Sequence, residues 1–221
     1  NLGMTNFQML DNQPKCFGIG ICPQNDPYRL KPFVNFNGNW QAKDSNINLD
    51  VDAELISFDS LQSESGKRIR NRATLSKLFD FSGIKVKPSI GIDYAKFKPD
   101  SIELNPGDIE ENAKRTIPIY SLDIRANLIR ISNDGDMRHS LQPRVMAVHI
   151  PYEDQSDFPF IDTLMPDFNY FQLFNENRFI GNDRIGDTSK ISYGLVAKRT
   201  QIQSGKDLFK FTLGQTLHIR D

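Results

Sequence analysis

Cationic side chains recur at alternate positions: Arg68, Arg70 and Arg72 in one run, Lys85 and Lys87 in the next, with Arg125 and Arg144 further along. In an extended chain that spacing puts them on one face. There they can bond phosphates or carboxylates, or pair with Asp50, Asp52, Glu54 and Asp123, which have the same parity in their own runs. A second set, Asp154, Asp157, Asp183, Arg184 and Asp187, lies in residues 151–187, PYEDQSDFPFIDTLMPDFNYFQLFNENRFIGNDRIGD. Within it Asp183, Arg184 and Asp187 form an Asp-Arg-Asp group suited to pinning that segment to its neighbours.

Neither set is catalytic in kind. The chain has no Gly-x-Ser-x-Gly, His-Glu-x-x-His or paired-carboxylate motif, and Gly18-Ile-Gly20 is too short for a phosphate loop. The expectation is a protein that is not an enzyme and needs no cofactor. His139, His149 and His218 are far from Cys16 and Cys22, so no metal site is expected. The two cysteines are close enough to close a small loop in an oxidising compartment, and a disulfide and a pair of free thiols both remain open. Lys and Arg number 27 against 28 Asp and Glu, a net charge of -1, without the basic footprint of a nucleic-acid binder.

The elements that carry these residues follow from hydrophobic period. Residues 47–55, INLDVDAEL, place Ile47, Leu49, Val51, Ala53 and Leu55 opposite Asn48, Asp50, Asp52 and Glu54. This is a strand between two unlike environments. Similar alternation at 32–42, 68–79, 84–98, 120–128, 138–147, 191–197 and 209–220 gives eight strands, with a possible partial one at 5–10. Their connections alternate strictly, long at 11–31, 59–67, 99–115 and 152–186, short at 43–46, 80–83, 133–136 and 202–206.

One rim therefore has tight turns and the other long loops, as in membrane barrels. Strands of this length exceed the usual five or six residues and suit the roughly 9–11 tilted residues that cross a bilayer. Trp40, Phe209 and Phe211 near one rim, and Tyr94 and Tyr120 near the other, would form interfacial girdles. The expected fold is all-β: an antiparallel meander of eight to nine long strands in a transmembrane outer-membrane β-barrel. A soluble β-sandwich binding module has the same period and stays open from alternation alone. No run approaches a membrane helix, and the start at Asn1 shows no export signal, which would be absent or already removed.

A loop as long as 152–186 is uncommon without a function, and Phe158, Phe160, Phe168, Tyr170, Phe171, Phe174 and Phe179 predict a folded cap, with a short helix starting near Asp167.

The run from His139 to Arg199 resembles the barrel domain of the LptD family of outer-membrane lipopolysaccharide assembly proteins. The resemblance is carried by L-Q-P-R at 141–144, P-Y-E-D-Q-S-D at 151–157, P-D-F-N at 166–169, L-F at 173–174, N-R-F at 177–179 and D-R-I-G-D at 183–187. Residues 52–58, 115–123 and 213–215 look similar too. It implies that the meander is part of a large transmembrane outer-membrane β-barrel, residues 1–221 being a partial barrel domain with a long loop at 152–186. The periplasmic jellyroll domain and the first and last strands of the barrel would be absent.

It also implies transport of lipopolysaccharide into the outer leaflet of the outer membrane of a Gram-negative bacterium. Implied partners are lipopolysaccharide, an LptE-like lipoprotein inside the barrel, membrane lipids, and periplasmic lipopolysaccharide bridge proteins acting through the absent N-terminal domain. The alternating cations would line the lumen. The family's disulfide cysteines lie in the absent ends, so Cys16 and Cys22 match none. An outer-membrane porin fits the strand pattern equally and differs in the loop motif. Alone, a piece with two unpaired sheet edges is expected to aggregate.

Overall fold

Strict period-two alternation admits no helix, and the chain is built of strands. The computed structural model describes residues 2–5, 29–43, 45–59, 65–99, 113–159 and 161–220. Cys16, Cys22, residues 6–10 of the expected partial strand, Phe160 and much of the first three long connections lie outside the described residues. The strands are β1 (Leu2–Thr5), β2 (Arg29–Ala42), β3 (Ile47–Asp59), β4 (Gly66–Lys77), β5 (Phe79–Phe81), β6 (Ile84–Pro99), β7 (Ala113–Ala126), β8 (Leu128–Ile131), β9 (Met137–Ile150), β10 (Thr188–Gln201) and β11 (Asp207–Arg220).

All belong to one antiparallel sheet, ordered as in sequence. β5 continues β4 along the same partner, β6, and β8 continues β7 along β9. The meander is thus eight long ribbons and the short β1. The sheet does not close on itself, since β1 and β11 stand at its two ends.

Burial is the reverse of that in a water-soluble sheet. Leu49, Ile92 and Leu122, on the apolar face, are 37%, 50% and 38% exposed, whereas the inward Arg68 and Asp93 are at 0%. The described residues hold one sheet and a single helical turn, and that turn packs on β10 and β11 from the inner side. Nothing among them stacks on the apolar face as the second layer of a sandwich would. Trp40, Phe209 and Phe211 stand exposed toward the short-turn rim, and Tyr94 and Tyr120 toward the other.

Near the long-loop rim the inner wall itself turns apolar. Phe58, Ala95, Phe97, Ala113, Ile117, Ile119, Met146, Val148 and Ile150 are buried there. Onto this patch folds the segment between β9 and β10, inserting Leu173, Phe174 and Ile185 in one cluster and Phe158 in another. The cap is folded, as its aromatics suggest, although Phe168 and Phe171 stay exposed.

The helix expected from Asp167 is not formed. One 3-10 turn, Gln172–Phe174, takes its place. Its entry is set by Asn169, whose Oδ1 accepts the N–H groups of Phe171 (2.9 Å) and Gln172 (3.2 Å), and Asn175 is already extended at ψ 140°. An Asx-type turn thus competes successfully with a longer helix.

The cap lies flat because Gly194 and Gly214 face each other across β10 and β11. A Cβ on Gly194 would come within 2.7 Å of the Tyr170 ring and 3.0 Å of Phe174, and one on Gly214 within 2.4 Å of Leu173. Gly194→Val should therefore lift the cap at a cost of about 1–3 kcal/mol from overpacking. The check is limited proteolysis of the full-length protein: cleavage within 151–187 should quicken, while Tyr193→Phe on the outer face of the same strand leaves it unchanged.

Candidate functional site

The face alternation of β3 and β4 points Glu54 and Arg68 inward, and the cap brings two acids to meet them. Arg68 Nη2 lies 2.6 Å from Glu54 Oε1 and 2.7 Å from Asp162 Oδ2, and its Nη1 donates to Asp183 Oδ1. Its side chain is 1% exposed and the guanidinium rests over the Phe58 ring at 4.9 Å. Glu54 also accepts from Asn182 Nδ2 at 3.1 Å.

Two strands over, beyond β6, Arg115 donates to the carbonyls of Asn182 (2.8 Å) and Asp183 and to Gln155 Oε1 (2.6 Å), stacks on Phe158 at 5.1 Å and approaches Asp93 at 3.4 Å. Asp93 in turn pairs with Arg70 at 2.6 Å. Arg72 pairs with Glu176 of the cap, which also accepts from Ser121 at 2.7 Å. Lys190 donates to the Asn175 carbonyl at 2.7 Å. The cap is thus pinned to the wall by polar groups from β3, β4, β7 and β10, while Asp93 of β6 holds Arg70 and Arg115 from the wall side.

Within the cap Asp183 accepts the N–H groups of Ile161 (2.7 Å) and Asp162 (2.6 Å), and Asp162 accepts those of Asn182 and Asp183, each at 3.1 Å. Gly181, at φ 92°, permits the crossing, because a Cβ there would lie 1.9 Å from the Asp162 carbonyl oxygen. Burial opposes ionisation of both acids. At Asp162 the bond from Arg68 outweighs it and holds the carboxyl down at about 2. At Asp183 burial and the adjacent Asp162 outweigh Arg68 and push the carboxyl up to about 6.

The remaining candidates separate by place. Arg68, Arg70 and Arg72 are in the pinned zone. Lys85, Arg125 and Arg144 lie toward the short-turn rim in one row, each directly opposite the next. Arg144 bonds Asp123 through two nitrogens at 2.8 and 3.1 Å and covers the Phe174 ring at 4.4 Å. Lys87 stands opposite Asp123 in the register.

In the cap, Arg184 donates to the Phe158 carbonyl at 3.3 Å. Asp154 is exposed and held below the usual carboxylate range by the Ser156 N–H. Asp157 and Asp187 are also exposed, the latter bordering a cleft with Glu176, Lys190 and His218. Asp183 thus reaches Arg68 on the wall. Sequence reasoning missed Asp93, Arg115, Asp162 and Glu176. The polar parity of Asp93 and Arg115 on their strands was a usable signal, whereas nothing local marks Asp162 or Glu176.

A family model described as LptD, LPS transport system D, matches residues 2–221. Curated relatives named "LPS-assembly protein LptD" include those of Nitrosococcus oceani, 30% identical over 97% of this chain, Chromobacterium violaceum, 29% over 92%, and Shewanella denitrificans, 30% over 88%. The chain spans only 28%, 26% and 26% of those proteins.

Removing the central cation should release the cap. Arg68→Met strands three carboxylates, a loss of about 3–5 kcal/mol for a buried pair broken on one side, visible as rapid proteolysis within 151–187 of the full-length protein. Protonation gives a second check. Because Asp183 is raised in the folded state, its contribution is complete below its ordinary value of 3.8 and is lost as pH rises through about 6. That of Asp162 is present above 3.8 and lost as pH falls toward about 2. Cap protection, read by hydrogen exchange, should weaken across about pH 4 to 6, and Asp183→Asn should flatten that change.

Proposed function

The chain belongs to the LptD family, and on that premise we propose that it is part of an outer-membrane barrel that delivers lipopolysaccharide to the outer leaflet of a Gram-negative bacterium. The observation that carries this reading is the reversed burial: an exposed apolar belt outside, and inside a charged wall closed at its long-loop end by a pinned cap. Hydrocarbon suits the belt, and a hydrated lumen suits the sugar of a glycolipid whose acyl chains stay in the membrane.

Residues 1–221 act as a partial barrel domain, completed by strands and a periplasmic jellyroll domain elsewhere in the full-length protein. Lipopolysaccharide is the substrate. An LptE-like lipoprotein inside the barrel and periplasmic bridge proteins are the partners this reading entails. The pinned cap favours a closed transporter over a porin, because a diffusion pore needs an open mouth.

Photocrosslinking in cells tests the reading. A crosslinker at the inward Ser89 of the full-length protein should capture lipopolysaccharide, and one at the outward Leu122 should capture membrane lipid. Failure at Ser89 with intact barrel assembly would sink it. Lipid exposure has its own check: Ile92→Arg should cost about 2–4 kcal/mol if it lies at mid-depth, reducing the heat-modifiable folded form, while Ser89→Arg on the inner wall is tolerated.

A further inference from the structure

Below the cap the lumen has a second zone of opposite character. At the cap end Arg68, Arg70, Arg72 and Arg115 each meet a carboxylate. Toward the short turns, Lys85, Arg125, Arg144, Lys198 and Lys210 line one cavity of about 500 Å³. Among the described residues only Arg144 of these five has a carboxylate partner, Asp123.

The register shows that this crowding is built into the sheet. Lys85 stands directly opposite Arg125, Arg125 opposite Arg144, and Lys198 opposite Lys210. Directly opposed like charges destabilise an antiparallel pair. A wall that had only to stay wet would be served by the Ser, Thr and Asn found elsewhere on the same face. Ammonium and guanidinium groups converging from five strands fit an oxyanion that bridges them. The exposed Phe171 ring of the cap forms one side of the cavity, and its apolar face can lie against a sugar ring.

We propose that Lys85, Arg125, Arg144, Lys198 and Lys210 form a binding site for a phosphate dianion, whether free or borne on the sugar of a glycolipid. For the sugar-borne source this rests on the transport reading above. The site then holds the charged headgroup in the lumen beneath the closed cap. The cavity is of the size that accepts a phosphorylated monosaccharide.

The test uses the full-length protein, purified with its natural partners, and three probes: bisphosphorylated lipopolysaccharide, the same material treated with phosphatase, and inorganic phosphate. The wild type should bind the bisphosphorylated form roughly tenfold or more tightly than the treated form, with strong salt dependence. Lys198→Gln/Lys210→Gln and Lys85→Gln/Arg125→Gln should each erase most of that preference. Lys198→Arg/Lys210→Arg should keep it, and unchanged heat-modified mobility shows that the variants fold.

Competition by inorganic phosphate at matching concentrations supports the site with a free anion as its ligand. Gln variants that keep the full preference would overturn the proposal. Equal binding of treated and untreated lipopolysaccharide, without phosphate binding, would overturn it while leaving the transport reading intact. Binding of phosphate through these residues without any binding of lipopolysaccharide would uphold the site and remove the transport reading.

Discussion

The governing constraint is that one face of the sheet is an exposed apolar belt, which in the proposed setting meets hydrocarbon, so charged groups at its mid-depth must be accommodated on the other. With a side-chain period of two, the face is decided once for a whole strand, and a slip of one residue exchanges all its side chains. The pairing of β3 with β4 sets Glu54 opposite Arg70 and Asp52 opposite Arg72 on the inner wall, with Leu55 opposite Ile69 and Leu49 opposite Leu75 outside. In the slipped register, arginines would enter lipid, each at about 2–4 kcal/mol near mid-depth. The hydrogen-bond ladder and the solvent contrast therefore enforce the same register.

An inner wall rich in charge creates a second problem wherever water is excluded, and the cap is the place where that happens. Arg68 is fully buried, yet its guanidinium meets Glu54 from the wall and Asp162 and Asp183 from the cap. Such a cluster contributes more to position than to net stability, because desolvation offsets much of the attraction. What it specifies is the one seating of the cap in which three carboxylates meet one cation. The apolar patch of Ile117, Ile119, Met146, Val148 and Ile150 supplies the non-directional part of the binding.

The strands, their faces and the alternation of short and long connections were legible because each rests on local period. The seat of the cap left a weaker mark. In RTIPIY and MAVHI the inward parity is itself apolar, with Ile117 and Ile119 or Met146 and Val148, so these strand ends call for a cover on the inner face as well. Read only as alternation, the feature is lost. The partners of Arg68 were beyond reach, since Asp162 and Asp183 are 94 and 115 residues away and meet it only through the path of an irregular loop. The helix expected at Asp167 failed for a local reason, the Asx turn at Asn169.

The paired glycines of β10 and β11 bear on the order of assembly. Tyr170 and Leu173 need the trough that exists only when Gly194 faces Gly214, and those residues are synthesised after the cap. The other anchor, Arg68, comes long before it. The cap is thus held by an early strand on one side and a later hairpin on the other, and it has no complete seat until both are in place. Its docking belongs among the last events of folding, after the wall has formed, as loop-closure entropy requires of contacts so distant in sequence.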